Sequence, residues 1–540
     1  MKKTFFSLLL LTAMPQTWAC TNLLVGKKAS ADGSTMVTYS ADSYAMYGEL
    51  YHYPVAKYPA GTLLEVREWD SGKYLGQIAQ ATETYNVVGN MNEHQLCIGE
   101  TTFGGREELA DSTAIMDYGS LIYIALQRAK TAREAIRVMT GLVEKYGYCS
   151  EGESFSIVDK NEVWIMEMVG KGVGNKGAVW VAVRIPEDCI AAHANQSRIH
   201  QFPLNDKENC LYAKDVISFA KKKGYYKGAD KDFSFANAYN PLDWGGLRFC
   251  EARVWSFFNQ YTDKGQEWLP YILGETPEPM PLYVKPNKLL SVKNVMDMMR
   301  DHYEGTVFDP TQDIAAGPFH SPYRFHPLAF ELDGKKYGFE RPISTQQTAF
   351  TFVGQMRSSL PDAVGGVLWF GVDDARFTVY TPMYACITKI PQCYATGTAD
   401  FTTFSWESAF WVHNWVANMA YARYNQIIED VKPLQDQIEK DLITLQANIE
   451  PAVLNEADPV AFLTGYSSQM AQITHEQWKK LGEYLIVKYM DGVIKKEDNG
   501  QFIKNSYGGS QYPNRPKWDE HFLREIVKQK GNWLEQKELK

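Results

Sequence analysis

The sequence predicts an α+β protein, with an antiparallel body through about residue 400 and a mostly helical extension over 401–540. Three observations carry this reading. Short β-rich runs separated by turn residues fill positions 21–194. Strand-like runs return at 348–354, 364–370 and 376–380, after stretches with helical spacing. From Ser405 the character changes, and "WESAFWVHNWVANMAYARYNQIIEDVKPLQDQIEKDLITLQANIEPAVL" is long, helical and charged on one face. No internal repeat or low-complexity linker interrupts the chain.

The first element is a leader. Lys2 and Lys3 precede the apolar run Phe5–Leu11, and Thr17 and Ala19 supply small residues at −3 and −1 of a cut before Cys20. That pattern predicts a secretory signal peptide over 1–19 and an exported protein, periplasmic or extracellular. The run is shorter than the roughly 20 apolar residues a spanning helix needs, and no later stretch reaches that length. Cleavage would remove two of the 55 Lys and Arg and none of the 64 Asp and Glu, leaving 53 against 64 and a net charge of −11. Such a balance argues against nucleic acid or anionic lipid as a main partner.

The body follows. Thr21–Val25 and Thr35–Tyr39 flank a segment ending in Asp32-Gly33, a hairpin signal. Further strands are predicted at Tyr85–Gly89, Gln95–Ile98, Ser154–Val158, Val163–Met168, Val179–Ile185 and Ile190–Ala194. One helix is predicted over 117–145, and others over 248–260 and 289–302. "VGKGVGNKG" (169–177) lacks the Gly-Lys-Ser/Thr ending of a phosphate loop and joins two strands, so it is read as a turn. Asp373-Asp374 is read as a turn between strands. His320 and His326 lack helical zinc-site spacing, and His193 and His413 have no partner ligands nearby in sequence. No metal or cofactor is expected. Eight cysteines are too few for a disulfide scaffold, although Cys386 and Cys393 are spaced to form one bridge.

Cys20 poses the central question. A lipid anchor would want Leu at −3, a small residue at −2 and a polar tether afterwards. The chain has Thr17 and Trp18, and then enters a strand at once. A disulfide or core role is the ordinary alternative. A third role is nucleophilic: a cut after Ala19 frees an α-amine on the residue that carries the thiol. With a pKa of about 7.7–8.0, that amine can serve as the built-in base.

The segments that follow decide between these roles. Cys20-Thr21, Asp32-Gly33, "GNMNEHQLCIGETTFGG" (89–105), "WVAVRIPEDCIAAHANQSRI" (180–199) and "PLDWGGLRFCEARVW" (241–255) occur in that order. Together they resemble the exported dipeptidase family (dipeptidase A type) of N-terminal-nucleophile cysteine hydrolases, related to bile-salt hydrolases and penicillin V acylases. The resemblance covers most of 20–400. It implies a four-layer αββα sandwich with Cys20 as nucleophile at the start of a central strand. It further implies that Asp42 contacts the nucleophile's amine, that Asn195 completes the oxyanion hole, and that an active-site arginine is Arg253, with Arg248 the alternative. Acylase relatives carry arginine where this chain has Tyr39, and asparagine where it has Thr102. Both departures argue against acylase substrates.

The expected function is therefore an exported cysteine dipeptidase acting on small peptides through a thioester acyl-enzyme. Glu100 and Asp42 are the candidates for the substrate ammonium, with Thr102 and Tyr39 as further substrate-binding positions. Two alternatives stay open: an amide acylase of the bile-salt or penicillin type, and a non-catalytic exported lipoprotein binding peptides or glycans. Homo-oligomer formation is also left open.

Overall fold

The computed structural model describes residues 20–325 and 328–538. The leader expected over 1–19 and His326 lie outside them. The principal strands, in chain order, are β1 (Asn22–Val25), β2 (Thr35–Asp42), β3 (Cys97–Gly104), β4 (Gly152–Val158), β5 (Val163–Gly170), β6 (Ala178–Ile185), β7 (Ile190–His193), β8 (Thr348–Met356), β9 (Gly366–Val372) and β10 (Thr381–Tyr384). The principal helices are α1 (Tyr118–Leu126), α2 (Ala132–Tyr146), α3 (Ala252–Tyr261), α4 (Ala409–Tyr421), α5 (Tyr424–Val453) and α6 (Pro459–Tyr489).

Two large antiparallel sheets organise the body. The first runs β7-β1-β2-β8-β9-β10, with Tyr283–Val284 added beside β7. The second runs β6-β5-β4-β3, flanked by Cys210–Tyr212 on one side and by the short strands Met91–Asn92, Val87–Val88 and His52–Tyr53 on the other. Strands β1 and β2 pack against β3 and β4, so the sheets meet near residue 20. Every residue of β1, β2, β4, β5 and β8 is buried. Strands β1 and β5 accordingly read as nearly continuous apolar runs, whereas β2, β4 and β8 carry polar residues that are buried as well. The mixed α+β composition matches the sequence expectation.

Helices α1 and α2 cover the second sheet, and α4, α5 and α6 pack on β9 and β10 of the first. Where the sequence predicts one helix over 117–145, the chain forms two. Thr131 caps the second, its hydroxyl accepting from Glu134 N at 3.3 Å, while Asp117 caps the first. The long helical stretch after Ser405 is likewise two helices, α4 and α5, and α6 follows it. Helix α5 is locked to the first sheet by a bidentate ion pair, in which Arg357 donates to both Glu450 oxygens at 2.7 Å. Tyr384 donates to the same carboxylate at 2.8 Å.

Other expectations are met or corrected locally. Of the 169–177 segment, Val169 and Gly170 end β5 and residues 171–177 form the loop to β6, with Gly172, Gly174 and Gly177 at positive φ. Asp373-Asp374 does form the turn after β9, but both residues are buried. Cys386 and Cys393 are free, each packed as a small apolar side chain, so that bridge is absent. The 376–380 strand forms later than expected, at Thr381–Tyr384.

One close approach fixes how the sheets meet. Beyond Cys97, the side of β3 away from β4 has no strand neighbour. The Asn22 side chain fills that role: its amide accepts from Glu100 N at 3.1 Å and donates to Glu100 O at 2.9 Å. Gly99 permits this, because a Cβ there would stand 2.6 Å from the Asn22 amide. Gly99→Ala should therefore cost about 1–3 kcal/mol through overpacking, read as a lower urea midpoint at unchanged slope. It should also lower turnover by shifting Glu100.

Candidate active site

Strand pairing brings the predicted residues to Cys20. The register Asn22↔His193 between β1 and β7, continued two residues outward, sets Cys20 opposite Asn195. The bridge Thr21↔Ser40 puts the end of β2, and hence Asp42, beside it. From the second sheet, Glu100 lies on β3, and Thr102 lies two residues on, opposite Glu153 of β4. Alternation puts these three side chains on one face of that sheet.

Arg253 holds the backbone around the cysteine. Its Nη1 donates to Cys20 O at 2.6 Å and to Thr21 Oγ1 at 2.7 Å. Its Nη2 donates to Ala194 O at 2.9 Å and to Asn195 Oδ1 at 3.0 Å, and Nε reaches back to Phe249 O at 2.7 Å. A π-helical turn over Gly246–Glu251 leads into α3 and presents this arginine. Burial and the neighbouring Arg341 lower its pKa to about 10, so it stays charged at neutral pH. Arg248 is instead half-buried and pairs with Glu340 at 3.4 Å. Of the two candidate arginines, Arg253 is the one beside Cys20.

Asn195 sits at φ 66°, a left-handed conformation that asparagine tolerates better than most residues. Its Nδ2 donates to Thr102 O at 2.7 Å, leaving its second amide hydrogen for another acceptor. The Asp42 carboxylate accepts from Arg341 at 2.6 Å, Thr348 at 2.7 Å and Ser40 at 3.2 Å, which anchors the end of β2 beside Cys20. It turns its backbone N–H toward the Cys20 sulfur. Of the two ammonium candidates, Glu100 is the one whose carboxylate lies against the sulfur.

The thiol stands in acidic company. Cys20 Sγ lies 3.7 Å from Glu100 Oε1 and 3.9 Å from the Tyr39 hydroxyl, and that hydroxyl donates to the same Glu100 oxygen. Burial first, then the charges of Glu100 and Asp42, push the thiol's pKa well above its ordinary value. Arg253 grips the Cys20 carbonyl and not the sulfur. The Glu100 carboxyl is itself raised by burial, against its hydrogen bonds from Glu153 and Tyr39. Beside Tyr39 opens a narrow cleft walled by Tyr51, Tyr53, Trp69, Tyr118 and Tyr123.

Glu153 was not singled out in the sequence. Its signal was an acid in register with Phe155 and Ile157, on the apolar face of a strand. Tyr118, Asp70 and Arg341 also escaped notice, since they converge only in three dimensions. His193 is buried between the hydroxyls of Thr101 and Ser156, both at 2.7 Å, and burial holds it neutral. His413 is buried against Trp478, and His320 lies 3.5 Å from Asp519. Among the described residues, Asp297, Asp436 and Glu439 stand close enough to share a cation, but Lys293 and Arg300 already bridge them.

A buried cysteine among convergent polar side chains at the mouth of an aromatic cleft is the arrangement of a cysteine-type hydrolase. The model of peptidase family C69 matches residues 19–437, and the chain belongs to that family; it is a peptidase. A protein of Latilactobacillus sakei named "Probable dipeptidase" is 26% identical over 488 residues, covering 87% of this chain and 95% of its own. One of Salmonella dublin with the same name is 28% identical over 402 residues, covering 71% and 85%. A "Probable dipeptidase A" of Streptococcus pyogenes is 25% identical over 441 residues, covering 75% and 84%. The family resemblance read from the sequence therefore holds.

Removing the Glu100 charge should lower the Cys20 pKa. In Glu100→Gln, alkylation of the Cys20 peptide by iodoacetamide, followed by mass spectrometry across pH 6–9, should speed up several-fold at pH 7.5. An unchanged profile would show that the Glu100 charge does not act on the sulfur.

Proposed function

We propose that the protein is an exported cysteine dipeptidase of the N-terminal-nucleophile type, with the two sheets and their covering helices forming an αββα sandwich. Cleavage after Ala19 frees the Cys20 α-amine, which takes the thiol proton as the sulfur attacks the scissile carbonyl. The need for such a base is clear, because the surroundings hold the thiol protonated. The oxyanion is met by the second Nδ2 hydrogen of Asn195 together with a backbone N–H, donors worth about 10²–10³ in rate each. The ammonium then protonates the leaving nitrogen, and water hydrolyses the thioester.

The observation that carries the substrate class is the 3.7 Å between Cys20 Sγ and Glu100 Oε1. An ammonium–carboxylate contact of about 2.8 Å, an amine-to-carbonyl span of about 2.5 Å within one residue and a near-attack distance of about 3–3.5 Å close a compact loop with it. The amine bound by Glu100 then belongs to the residue whose carbonyl is attacked, as in a dipeptide. The names of the relatives agree with this reading. The side chain of that residue would enter the cleft beside Tyr39.

The test is a panel of dipeptides, N-acetyl dipeptides and N-acyl amides, run on cleaved protein whose free Cys20 terminus is verified by intact mass. Free dipeptides should exceed their N-acetyl forms by at least ~100-fold in kcat/KM, roughly the value of a desolvated charge contact. A preference for N-acyl amides would make it an acylase, and a lipid adduct on Cys20 would end the catalytic reading. Precursor with the Ala19–Cys20 bond intact should be inactive; turnover by it would remove the amine from the mechanism.

A further inference from the structure

Behind Glu100 stands a second acid for which the reaction above has no use. Glu153 is fully buried, and its carboxyl meets that of Glu100 in hydrogen-bond contact. Neither Glu100 Oε2 nor Glu153 Oε1 has any other hydrogen-bond partner, while Glu153 Oε2 accepts from Thr102 Oγ1 at 3.0 Å. Two carboxyls can make such a contact only if one of them carries a proton. The remaining groups that bear on the pair are Cys20 before β1, Tyr39 and Asp42 on β2, Asp70, Tyr118 at the start of α1, and Tyr148. All of these side chains are acids, and the one base that cleavage adds beside them is the α-amine of residue 20. The nearby cations are engaged elsewhere, Arg253 by Cys20 O and Asn195, Arg341 by Asp42.

We propose that Glu153 is the second half of the substrate-amine receptor: the pair shares one proton before substrate binds and releases it when an α-ammonium enters, so that both carboxylates hold the amine. This rests on the peptidase reading and deepens it. Like charges in contact keep one carboxyl protonated, and a cation placed against them reverses that preference. Burial and the Glu100 charge together hold the Glu153 proton firmly in the unliganded site. The proton lost goes to solvent, and no covalent bond changes. A substrate whose amine is acylated brings no cation, so it leaves the pair protonated and gains nothing from Glu153. Selectivity for a free amine then arises from two acids acting as one titrating unit. Thr102 acts as the positioning residue that aims Glu153.

Proton release distinguishes this from a packing role. Cleaved Cys20→Ala protein is titrated with alanyl-alanine at pH 6.5, below the amine's pKa of about 7.7–8.0, in buffers of different ionisation enthalpy. About one proton released per peptide is expected, and none with N-acetyl-alanyl-alanine or in Cys20→Ala/Glu153→Gln. With Cys20 intact, Glu153→Gln should cut the kcat/KM preference for alanyl-alanine over its N-acetyl form at least tenfold, through KM. Unchanged release in the double variant, or no release from Cys20→Ala while the wild type hydrolyses alanyl-alanine, overturns the assignment and leaves the peptidase reading standing. An unchanged preference in Glu153→Gln does the same. Failure of the cleaved wild type to hydrolyse any dipeptide overturns both.

Discussion

The site depends on one guanidinium. Arg253 is buried to 1% exposure and spends its donors on Cys20, Thr21, Ala194, Asn195 and Phe249. Hydrogen bonds to a charged donor contribute about 1.5–3 kcal/mol each, and a buried cation left unpaired is costly. The arginine is therefore stable only when the strand start at Cys20, the end of β7 and the π turn before α3 are all in register. Lysine could not reproduce this, because its point charge lacks the planar fork that reaches several carbonyls at once. Fixing the Cys20 backbone and fixing the Asn195 side chain are thus one task, performed by one side chain.

Around that fixed frame the electrostatics run against ionisation. Cysteine enzymes commonly lower the thiol pKa with cationic neighbours. Here the neighbours are carboxyls and a tyrosine, and the thiol is held neutral. The same acids that suppress the thiolate suit a cationic substrate. In the proposed receptor the arriving ammonium brings one positive charge as the acid pair gives up one proton, so the net charge beside the sulfur is unchanged and the thiol proton must still be taken by a base.

Much of this was legible in the sequence because the chemistry is carried by short segments in fixed order. Cys20 follows a leader pattern directly, Glu100 and Thr102 sit in one tetrapeptide, and Asn195 and Arg253 lie in segments whose neighbours mark them. The α+β character and most strands were legible for the same local reason, since the strands announce themselves as β-rich runs between turn residues. What was not legible depends on long-range geometry. Asp42 was legible as a site residue, but the residues that hold its carboxylate, Arg341 and Thr348, lie some 300 positions away. The 117–145 stretch keeps its apolar stripe through a break that only the Thr131 cap reveals. Glu153 looks like an ordinary strand residue until the pairing Thr102↔Glu153 is known.

The strand β2 that borders the cysteine has its other edge sealed by β8, and Asp42 is clamped by Arg341 and Thr348. These partners are separated from the nucleophile's end of the chain by nearly the whole body. On the ribosome, the first third of the chain can emerge with Cys20 already present, yet without its framework. A centre built from contacts this distant in sequence forms late, since loop closure precedes the reward of pairing. Chains interrupted before about residue 350 would carry the reactive residue but no machinery, so incompletely made copies pose no hydrolytic hazard to the cell that makes them.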